Sequence, residues 1–420
     1  MIDRLQVSLF DRLVGELNIQ GPVRAPEDWR FAYAPEYLHR TRAVALSVSL
    51  PVRDAPYEGA VARNWFCNLL PEGAVREAIA SRLRIPLRDD FALLAGIGGE
   101  CAGAVSITSP DARPAITTDG EVKLADLLPP PEEAMGEGEW ALLGTPRRLS
   151  LAGAQDKIAG IRAEDGAVRL PAVGEITTHI FKPESTRLRG LRDLEAFGLA
   201  LARTIGLNAV EASIIEVSGR KGLLVERYDR IARDGNLVRL HQEDFCQALG
   251  YPGELKYEAG GGPSLAQCAN LVRQRLRLGP MAVQGLLDWV IYNAVIGNAD
   301  AHAKNLALLC DQDGHRRLAP FYDLVPTIAF SPRLVDRTPA LRIGDCEHMD
   351  RITSPHWRAF AAATGYAPGF VLRRVAAIAE AIIDKLDEVA SVLIAQGADE
   401  MHLDKALPLL RARARGMCKL

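Results

Sequence analysis

The sequence predicts an α+β protein with two lobes, a strand-rich lobe followed by a helical lobe, and an extra α/β unit in front of them. Short apolar runs of strand length, separated by turn residues, dominate residues 150–240. From Gln242 onward apolar residues recur at helical intervals, most clearly over 281–296 and 370–394. A stretch rich in Pro, Glu and Gly over 109–139 separates the first unit from the rest. A chain of 420 residues suffices for two to three units, since domains usually span about 100–200 residues.

The predicted organisation has four parts. Residues 1–108 form an N-terminal subdomain, with strands at 5–10, 44–50 and 104–107 and helices at 60–70 and 73–83. Residues 109–149 are a connector, which we expect to be partly structured because it keeps some apolar positions. Residues 150–240 form the core of the N-lobe, with a glycine-containing turn near 153, strands at 178–182, 214–217 and 223–227, and a helix at 193–205. Residues 241–420 form the helical C-lobe.

Composition narrows the classes of protein that this chain can belong to. The net charge of −3 gives no bulk attraction to nucleic acid. The seven cysteines are scattered without closely spaced pairs, so neither a metal cluster nor a disulfide framework is expected. The first residues lack a signal-peptide pattern, and no apolar run approaches the roughly 20 residues that cross a membrane. We therefore expect a cytoplasmic protein without a membrane partner.

The most informative motif lies at 297–305, with the sequence Gly-Asn-Ala-Asp-Ala-His-Ala-Lys-Asn, and is followed by Phe-Tyr-Asp at 321–323. It sets Asp300 five residues before Asn305 and adds Asp323. Phosphoryl transfer from Mg-ATP needs such a trio, in which one carboxylate deprotonates a hydroxyl while an amide oxygen and a second carboxylate hold the metal. Protein kinases use the same Asp-to-Asn spacing and a later metal-binding Asp. The motif therefore predicts kinase chemistry.

Two further polar residues of this motif are candidates for the catalytic machinery. His302 follows the catalytic-type Asp300, whereas in protein kinases the His precedes it. No second His or Cys stands at ligand spacing, so we expect His302 to orient Asp300 or a phosphate. Lys304 is expected to neutralise charge on the transferred group. The alternative is a structural polar network, because polar groups between apolar runs need partners.

A phosphate-binding turn is predicted at the start of the N-lobe. Ala152, Gly153 and Ala154 are small, so backbone N–H groups there can approach phosphate oxygens closely. Gln155 and Lys157 follow in the same segment and are assigned to ATP binding with it. The alternative is an ordinary tight turn, since the segment matches neither the P-loop nor the kinase Gly-rich pattern.

The remaining predicted contacts to ATP come from two strands and a helix. Lys182 ends an apolar run and can reach a phosphate, and Glu195 stands thirteen residues later in the predicted helix, where it can pair with Lys182. Glu226, Arg227 and Tyr228 lie where the lobes should join, a place at which backbone groups bind adenine and an aromatic ring flanks it. The alternatives are a surface lysine, a solvated helix glutamate and a surface salt-bridge cluster.

In these motifs the chain resembles the HipA serine/threonine kinases of bacterial toxin–antitoxin modules. The resemblance covers nearly the whole chain. Besides the segments 297–305 and 321–323, it includes Asn-Leu-Leu-Pro-Glu-Gly at 68–73, Gly-Gly-Glu-Cys-Ala-Gly-Ala-Val at 98–105, the segment 150–157, Thr-Thr-His-Ile-Phe-Lys at 177–182, Glu-Arg-Tyr-Asp-Arg at 226–230, His-Gln-Glu-Asp-Phe-Cys-Gln at 241–247, Lys-Tyr-Glu at 256–258 and Gly-Gly-Pro at 261–263.

The resemblance implies a bilobal fold akin to protein and lipid kinases and Mg-ATP-dependent phosphorylation of Ser or Thr. It implies that Asp300 is the base, that Asn305 and Asp323 bind Mg²⁺, that Lys182 holds ATP phosphates and that Ser150 is autophosphorylated. It also implies an aminoacyl-tRNA synthetase as target, with growth arrest and persistence as the outcome. The implied partner is a HipB-like helix-turn-helix antitoxin dimer, through which the chain would reach operator DNA.

Two other functions remain open at this point. A lipid or small-molecule kinase would use the same site chemistry on a related fold. A non-catalytic ATP-binding corepressor that braces an antitoxin on DNA would need no catalytic base. The presence of Asp300, Asn305 and Asp323 together argues against the corepressor.

Overall fold

The computed structural model of the protein describes residues 2–21, 24–110, 122–130, 132–143, 151–172 and 174–420. Ser150, predicted as an autophosphorylation site, lies outside the described residues. No helix in the described ranges combines the length and the apolar character that crossing a membrane requires.

The N-terminal subdomain is an antiparallel sheet with helices packed on it. The strands are β1 (Arg4–Leu9), β2 (Arg12–Ile19), β3 (Trp29–Tyr33), β4 (Tyr57–Glu58) and β5 (Val105–Thr108), in the order β4-β3-β2-β1-β5. The helices are α1 (Pro35–Leu38), α2 (Ala60–Cys67), α3 (Gly73–Leu83) and α4 (Asp90–Ile97). Alternating residues of β1 to β3 are buried, which is typical of a sheet with one covered face. Trp29, Phe31, Phe66 and Phe91 fill the space between sheet and helices.

The predicted strand at 44–50 is wrong. Tyrosine hydroxyls, rather than a neighbouring strand, satisfy its backbone. The Tyr37 hydroxyl donates to the carbonyl of Val44 (2.8 Å) and accepts from its N–H (3.0 Å). The Tyr33 hydroxyl accepts from the N–H of Leu46 (2.8 Å) and donates to the carbonyl of Leu50 (2.5 Å). The apolar residues are buried as the pattern indicated, but their backbone partners come from side chains that a local pattern does not reveal.

The connector leads into a second antiparallel sheet, which forms the N-lobe. The described part of the connector contains β6 (Val122–Lys123) and α5 (Glu139–Leu142). The N-lobe consists of β7 (Ile158–Arg162), β8 (Val168–Leu170), β9 (His179–Pro183), α6 (Leu191–Thr204), β10 (Ala212–Val217), β11 (Arg220–Glu226) and the hairpin β12 (Arg230–Arg233) with β13 (Asn236–Arg239). The sheet order is β10-β11-β9-β7-β8-β6. Helix α6 packs beside β10 and β11 and thereby faces the strand that carries Lys182.

The C-lobe is helical apart from one small sheet that the sequence did not predict. That sheet comprises β14 (His241–Asp244), β15 (Ala307–Cys310) and β16 (Arg316–Leu318). The helices are α7 (Phe245–Leu249), α8 (Leu265–Asn270), α9 (Pro280–Ile296), α10 (Ser354–Thr364), α11 (Pro368–Ala395) and α12 (Glu400–Met417). Helix α9 is buried on all sides over its last eleven residues, so it is the central helix of the core. It ends at Gly297 in a left-handed conformation (φ 69°), and the 297–305 motif starts there.

Candidate active site

A cleft of about 770 Å³ opens where the N-terminal subdomain, the N-lobe and the C-lobe meet. The structure brings all of the predicted site residues that it describes to the wall of this one cleft, although they come from distant parts of the chain. They are Ala152, Gly153, Ala154, Gln155, Lys157, Lys182, Glu195, Glu226, Arg227, Tyr228, Asp300, His302, Lys304, Asn305 and Asp323.

Lys182 is the centre of a buried charge cluster in the cleft. It lies on β9, and its Nζ donates to Glu195 Oε1 on α6 at 2.6 Å and to Asp323 Oδ1 at 2.5 Å. Burial opposes its charge, but the two carboxylates outweigh burial and raise the pKa of Lys182 above its ordinary value. Burial likewise opposes the Asp323 charge, and Lys182 with Lys157 outweighs it, so the pKa of Asp323 lies well below its usual range. At neutral pH the lysine is therefore a cation and Asp323 an anion.

Asp323 keeps part of its carboxylate open to the cleft. Its side chain is 36% exposed, whereas those of Lys182 and Glu195 are 7% and 2% exposed. The backbone at Asp323 is left-handed (φ 51°), a conformation that Asp and Asn tolerate better than other side chains. The Asn298 amide donates to the Asp323 carbonyl at 3.2 Å and so fixes this turn against the 297–305 motif.

Polar groups from within the 297–305 motif and from Thr327 and Tyr257 hold the motif. Thr327 accepts from the N–H of Ala299 at 2.8 Å and donates to the carbonyl of Gly297 at 2.9 Å. The Asn305 amide donates to the carbonyl of Asp300 at 3.2 Å. The Asp300 side chain itself is exposed to the cleft, and its Oδ1 accepts from the Tyr257 hydroxyl at 2.8 Å. One carboxylate oxygen is thus oriented by Tyr257, which leaves the other for a substrate.

His302 is buried beneath this arrangement. Its ring packs edge-on against Tyr257, with the centroids 5.5 Å apart, and its Nδ1 is buried without a hydrogen-bond partner in the part of the chain that the structure describes. Burial lowers the pKa of His302 to about 4, so the ring is neutral at pH 7. A neutral imidazole can accept a hydrogen bond at one nitrogen and donate at the other.

Lys304 contacts the N-terminal subdomain. Its Nζ donates to the carbonyl and to the side-chain oxygen of Asn68, at 3.1 Å and 2.9 Å. Glu72 Oε1 lies 3.5 Å away and Asp244 Oδ2 3.9 Å away. The charge on Lys304 is thus held at the cleft wall by partners more than fifty residues distant in sequence. The predicted contact of Lys304 with a transferred group stays a prediction.

The segment 151–157 turns at Gly153 beside the Lys157 ammonium. Gly153 has φ +114°, and a Cβ atom there would come within 2.7 Å of Lys157 Nζ, so a side chain at 153 would fill the turn. The Lys157 ammonium donates to the carbonyl of Ala152 at 2.5 Å. Burial and the nearby Lys182 lower the pKa of Lys157 to about 8. The amide nitrogen of Gln155 is buried without a hydrogen-bond partner among the described residues, a donor that a bound anion could use.

The segment 226–228, the predicted hinge between the lobes, lies at the wall of the cleft. Tyr228 stacks on Tyr322 with ring centroids 5.6 Å apart, next to the cleft. The Arg227 N–H donates to the carbonyl of Thr178 at 2.9 Å, so it is engaged within the N-lobe. Glu226 is exposed at the end of β11. Adenine binding by this segment stays a prediction.

The charged side chains beside the hinge form a buried cluster, so the alternative of a surface salt-bridge cluster was wrong about exposure. Arg227 pairs with Asp229 at 2.7 Å and with Glu100 at 3.3 Å. Arg230 pairs with Glu100 at 2.9 Å and with Asp229 at 3.0 Å. The backbone N–H of Gly103 donates to Asp229 at 2.6 Å. Because Glu100 and Gly103 belong to the N-terminal subdomain, this cluster joins it to the N-lobe.

The donor set in the cleft fits magnesium and a nucleotide. Mg²⁺ prefers carboxylate and amide oxygens, which Asp323 and Asn305 supply. Lys182, Lys157 and the buried side-chain amide of Gln155 are suited to phosphate oxygens.

Sequence reasoning assigned no role to several residues of this site. Tyr257, Asn68 and Glu72 stood in recognisable motifs, but nothing local indicated their contacts with Asp300 or Lys304. Asn298 could have been identified, because it lies within the 297–305 motif.

Comparison with known proteins identifies the family. The model of the HipA N-terminal domain matches residues 5–108, and that of the HipA-like C-terminal domain matches residues 149–392. The chain belongs to the HipA family. A Sinorhizobium fredii relative with a provisional kinase name is 38% identical over 90% of each chain. The HipA serine/threonine-protein kinase toxin of Shewanella oneidensis is 27% identical over 94% of this chain and 91% of its own.

A solved structure of HipA from Shewanella oneidensis, with HipB and operator DNA, matches 99% of both chains with a TM-score of 0.80 at 24% identity. This likeness shows that the chain has the same fold as that structure. The predictions of HipA family membership and of a bilobal, kinase-like α+β fold are therefore confirmed.

Proposed function

We propose that this HipA-family chain is a Mg²⁺- and ATP-dependent serine/threonine protein kinase that acts as the toxin of a toxin–antitoxin module. The observation that carries the proposal is the convergence of Lys182, Glu195 and Asp323 with Asp300 and Asn305 in one cleft. These five residues supply a phosphate-binding cation with its partner, two metal ligands and a base, which together are what phosphoryl transfer needs.

Asp300 acts as the base in this proposal. The Tyr257 hydroxyl holds Asp300 Oδ1, so Oδ2 is available to accept the proton of a serine or threonine hydroxyl. As that proton moves to Asp300, the hydroxyl oxygen forms a bond to the γ-phosphorus of ATP, and the bond between the γ-phosphorus and the bridging oxygen to ADP breaks. Lys304 neutralises charge on the transferred group, and neutral His302 supports Tyr257 beneath the base.

ATP would be held from the opposite side of the cleft. Lys182, Lys157, Gln155 and the backbone of 152–154 would bind its phosphates, and the segment 226–228 its base. Asn305 and Asp323 would hold Mg²⁺. When bound, that ion supplies neutralisation of phosphate charge.

The proposed partners follow from the relatives. A Shewanella oneidensis relative is named as a HipA toxin, and the matching solved structure contains HipB and operator DNA. We propose that a HipB-like helix-turn-helix dimer binds this chain and carries it to operator DNA. We propose an aminoacyl-tRNA synthetase as the target, whose phosphorylation would halt translation and arrest growth.

Ser150 is proposed as a site of autophosphorylation. A phosphate adds a charge of about −1.5 to −2 next to the segment that receives ATP phosphates, so nucleotide affinity should fall. The observation to make is a mass increase of one phosphate on Ser150 after incubation with Mg-ATP, together with weaker nucleotide binding.

The proposal is tested by incubating the purified chain with γ-labelled ATP, Mg²⁺ and a cell lysate, with Asp300→Asn as control. Asp300 is exposed and its main partner is one hydroxyl, so the variant should fold and bind ATP normally. A labelled protein band that the variant lacks supports the proposal. A labelled lipid or small molecule would indicate a different kinase, and no labelling at all would favour an ATP-binding corepressor. Equal labelling by the variant would refute the assignment of Asp300.

A further inference from the structure

The N-terminal subdomain reaches into the catalytic cleft with the turn 68–72, between α2 and α3. Glu72 is the one acidic residue of this turn. Its Oε2 accepts from Lys256 Nζ at 2.6 Å, and its Oε1 lies 3.5 Å from Lys304 Nζ. Lys256 precedes Tyr257, whose hydroxyl binds Asp300, and Lys304 lies in the 297–305 motif.

The Glu72 carboxylate is not used by its own helix. Glu72 precedes the first residue of α3, a position where an acidic side chain commonly caps the helix, yet its side chain makes no capping bond. Its Oε1 is buried without a hydrogen-bond partner within the described ranges, so the ammonium of Lys304 is what compensates it. Burial opposes the charge on Glu72, but Lys304 and Lys256 outweigh burial and lower its pKa.

Asn68 presents two more acceptors to the same lysine. Its own amide donates to the carbonyls of Asn64 at 2.8 Å and Tyr251 at 2.9 Å, which fixes the orientation of the side chain. The side-chain oxygen and the carbonyl of Asn68 therefore face Lys304 in a preset geometry. Asn68 is 1% exposed, so this contact is shielded from water.

The same turn also holds the segment 151–157. The Glu72 N–H donates to the carbonyl of Gly153 at 3.0 Å, and Pro71 forms a parallel bridge with Gly153. One short turn of the N-terminal subdomain thus contacts both walls of the cleft, the phosphate-binding segment through its backbone and the catalytic motif through its side chains.

We propose that Glu72 and Asn68 are positioning residues of the kinase reaction, which place Lys304 for transfer, so that the N-terminal subdomain completes the active site. This inference rests on the proposed kinase function and adds to it. It assigns to the N-terminal subdomain a part in the reaction besides any part in binding a partner. If the contacts were merely structural, their loss would lower stability and leave the rate of the folded enzyme unchanged.

The test compares Glu72→Gln with Glu77→Gln in the full-length chain. Glu77 lies on α3, is exposed and has no ion-pair partner among the described residues, so it controls for a lost charge at this helix. Glu72→Gln keeps the backbone bond to Gly153 and loses the negative charge that Lys256 and Lys304 share. We expect kcat to fall about tenfold while KM for ATP changes less than about threefold, with no such change in Glu77→Gln. Glu72→Asp should restore part of the rate.

A second readout does not need activity. The rate at which acetic anhydride modifies Lys304, followed by peptide mass spectrometry, should rise several-fold in Glu72→Gln and stay unchanged in Glu77→Gln.

An unchanged kcat or an unchanged Lys304 reactivity in Glu72→Gln would overturn the inference. An equal loss of kcat in both variants would also overturn it, since the effect would then be one of general charge. A wild-type chain that transfers no phosphate would instead refute the proposed function. The rate of Lys304 modification by acetic anhydride would still decide whether Glu72 holds Lys304.

Discussion

Two charge clusters of similar composition differ in how completely their members are paired. The cleft cluster consists of Lys182, Glu195 and Asp323. The junction cluster consists of Glu100, Arg227, Asp229 and Arg230. In the junction cluster all four side chains are at most 8% exposed. In the cleft cluster Asp323 is 36% exposed.

The difference in exposure indicates that the junction cluster serves the structure and that the cleft cluster is available for chemistry. Burying charges is tolerable when each is paired and its remaining hydrogen-bonding groups are satisfied, as they are at the junction, where Thr177 and the backbone of Gly103 complete the set. The Arg227 and Arg230 charges outweigh burial and lower the pKa of Asp229 to about 2. The cleft cluster leaves the Asp323 carboxylate partly exposed to the cleft, which is what a metal ligand requires. Substitutions should therefore affect stability at the junction and activity in the cleft.

The largest expected effect is that of Asp323→Asn on activity. Asn keeps the size and tolerates the left-handed backbone at 323, and Lys182 keeps Glu195 as a partner, so the chain should still fold. The charge that would bind Mg²⁺ is lost, and phosphoryl transfer should fall on the order of 10³-fold. Rates measured against Mg²⁺ concentration, alongside urea denaturation, test this. Normal activity in Asp323→Asn would mean that the open oxygen has no catalytic use.

Arg227→Met should instead lower the stability of the protein. It leaves Glu100 and Asp229 with Arg230 as their cationic partner in the junction cluster, and breaking a buried pair in this way costs about 3 kcal/mol or more. Lys385→Met removes an exposed helix pair with Glu388 and should lower the unfolding free energy far less than Arg227→Met does. Urea denaturation of both variants gives the comparison. Equal unfolding free energies would show that burial does not distinguish the junction from the surface.

A smaller, pH-dependent effect is expected at Glu243, a second contact between the N-terminal subdomain and the C-lobe. Its carboxylate accepts from Ser47 Oγ and the N–H of Val48, and Arg316 and Asp244 are the nearby charges. Burial raises its pKa from 4.5 to about 7. Between these values the folded state binds more protons than the unfolded chain, so this contribution to stability is complete below pH 4.5 and is lost as pH rises through 7.

Glu243→Gln mimics the protonated form and removes that dependence. Between pH 5 and pH 8 the wild type should lose about 2 kcal/mol more unfolding free energy than Glu243→Gln. Chemical denaturation at both values measures the difference, in which the titration of other groups cancels. Parallel pH profiles for the two proteins would show that Glu243 ionises at its ordinary pKa in the folded state.

Local patterns sufficed for those parts of the molecule whose partners are close in sequence. The helix over 73–83 follows from its apolar spacing, and the left-handed Gly297 ends α9 just before the catalytic motif. The segment 44–50 did not follow from its pattern, because tyrosines at 33 and 37 supply its hydrogen bonds. The strand β15 is a four-residue apolar run, which periodicity alone cannot assign to strand or helix.

The sequence by itself determined the family, the bilobal α+β fold and the list of candidate site residues, because their types and spacings are set within short segments that chemistry constrains. Only the tertiary structure decided which charges share a partner. Glu72 lies 232 residues before Lys304, and Glu100 lies 127 before Arg227. Contacts across such separations depend on how the N-terminal subdomain packs on both lobes, and hydrophobic burial drives that packing without a local sequence signal.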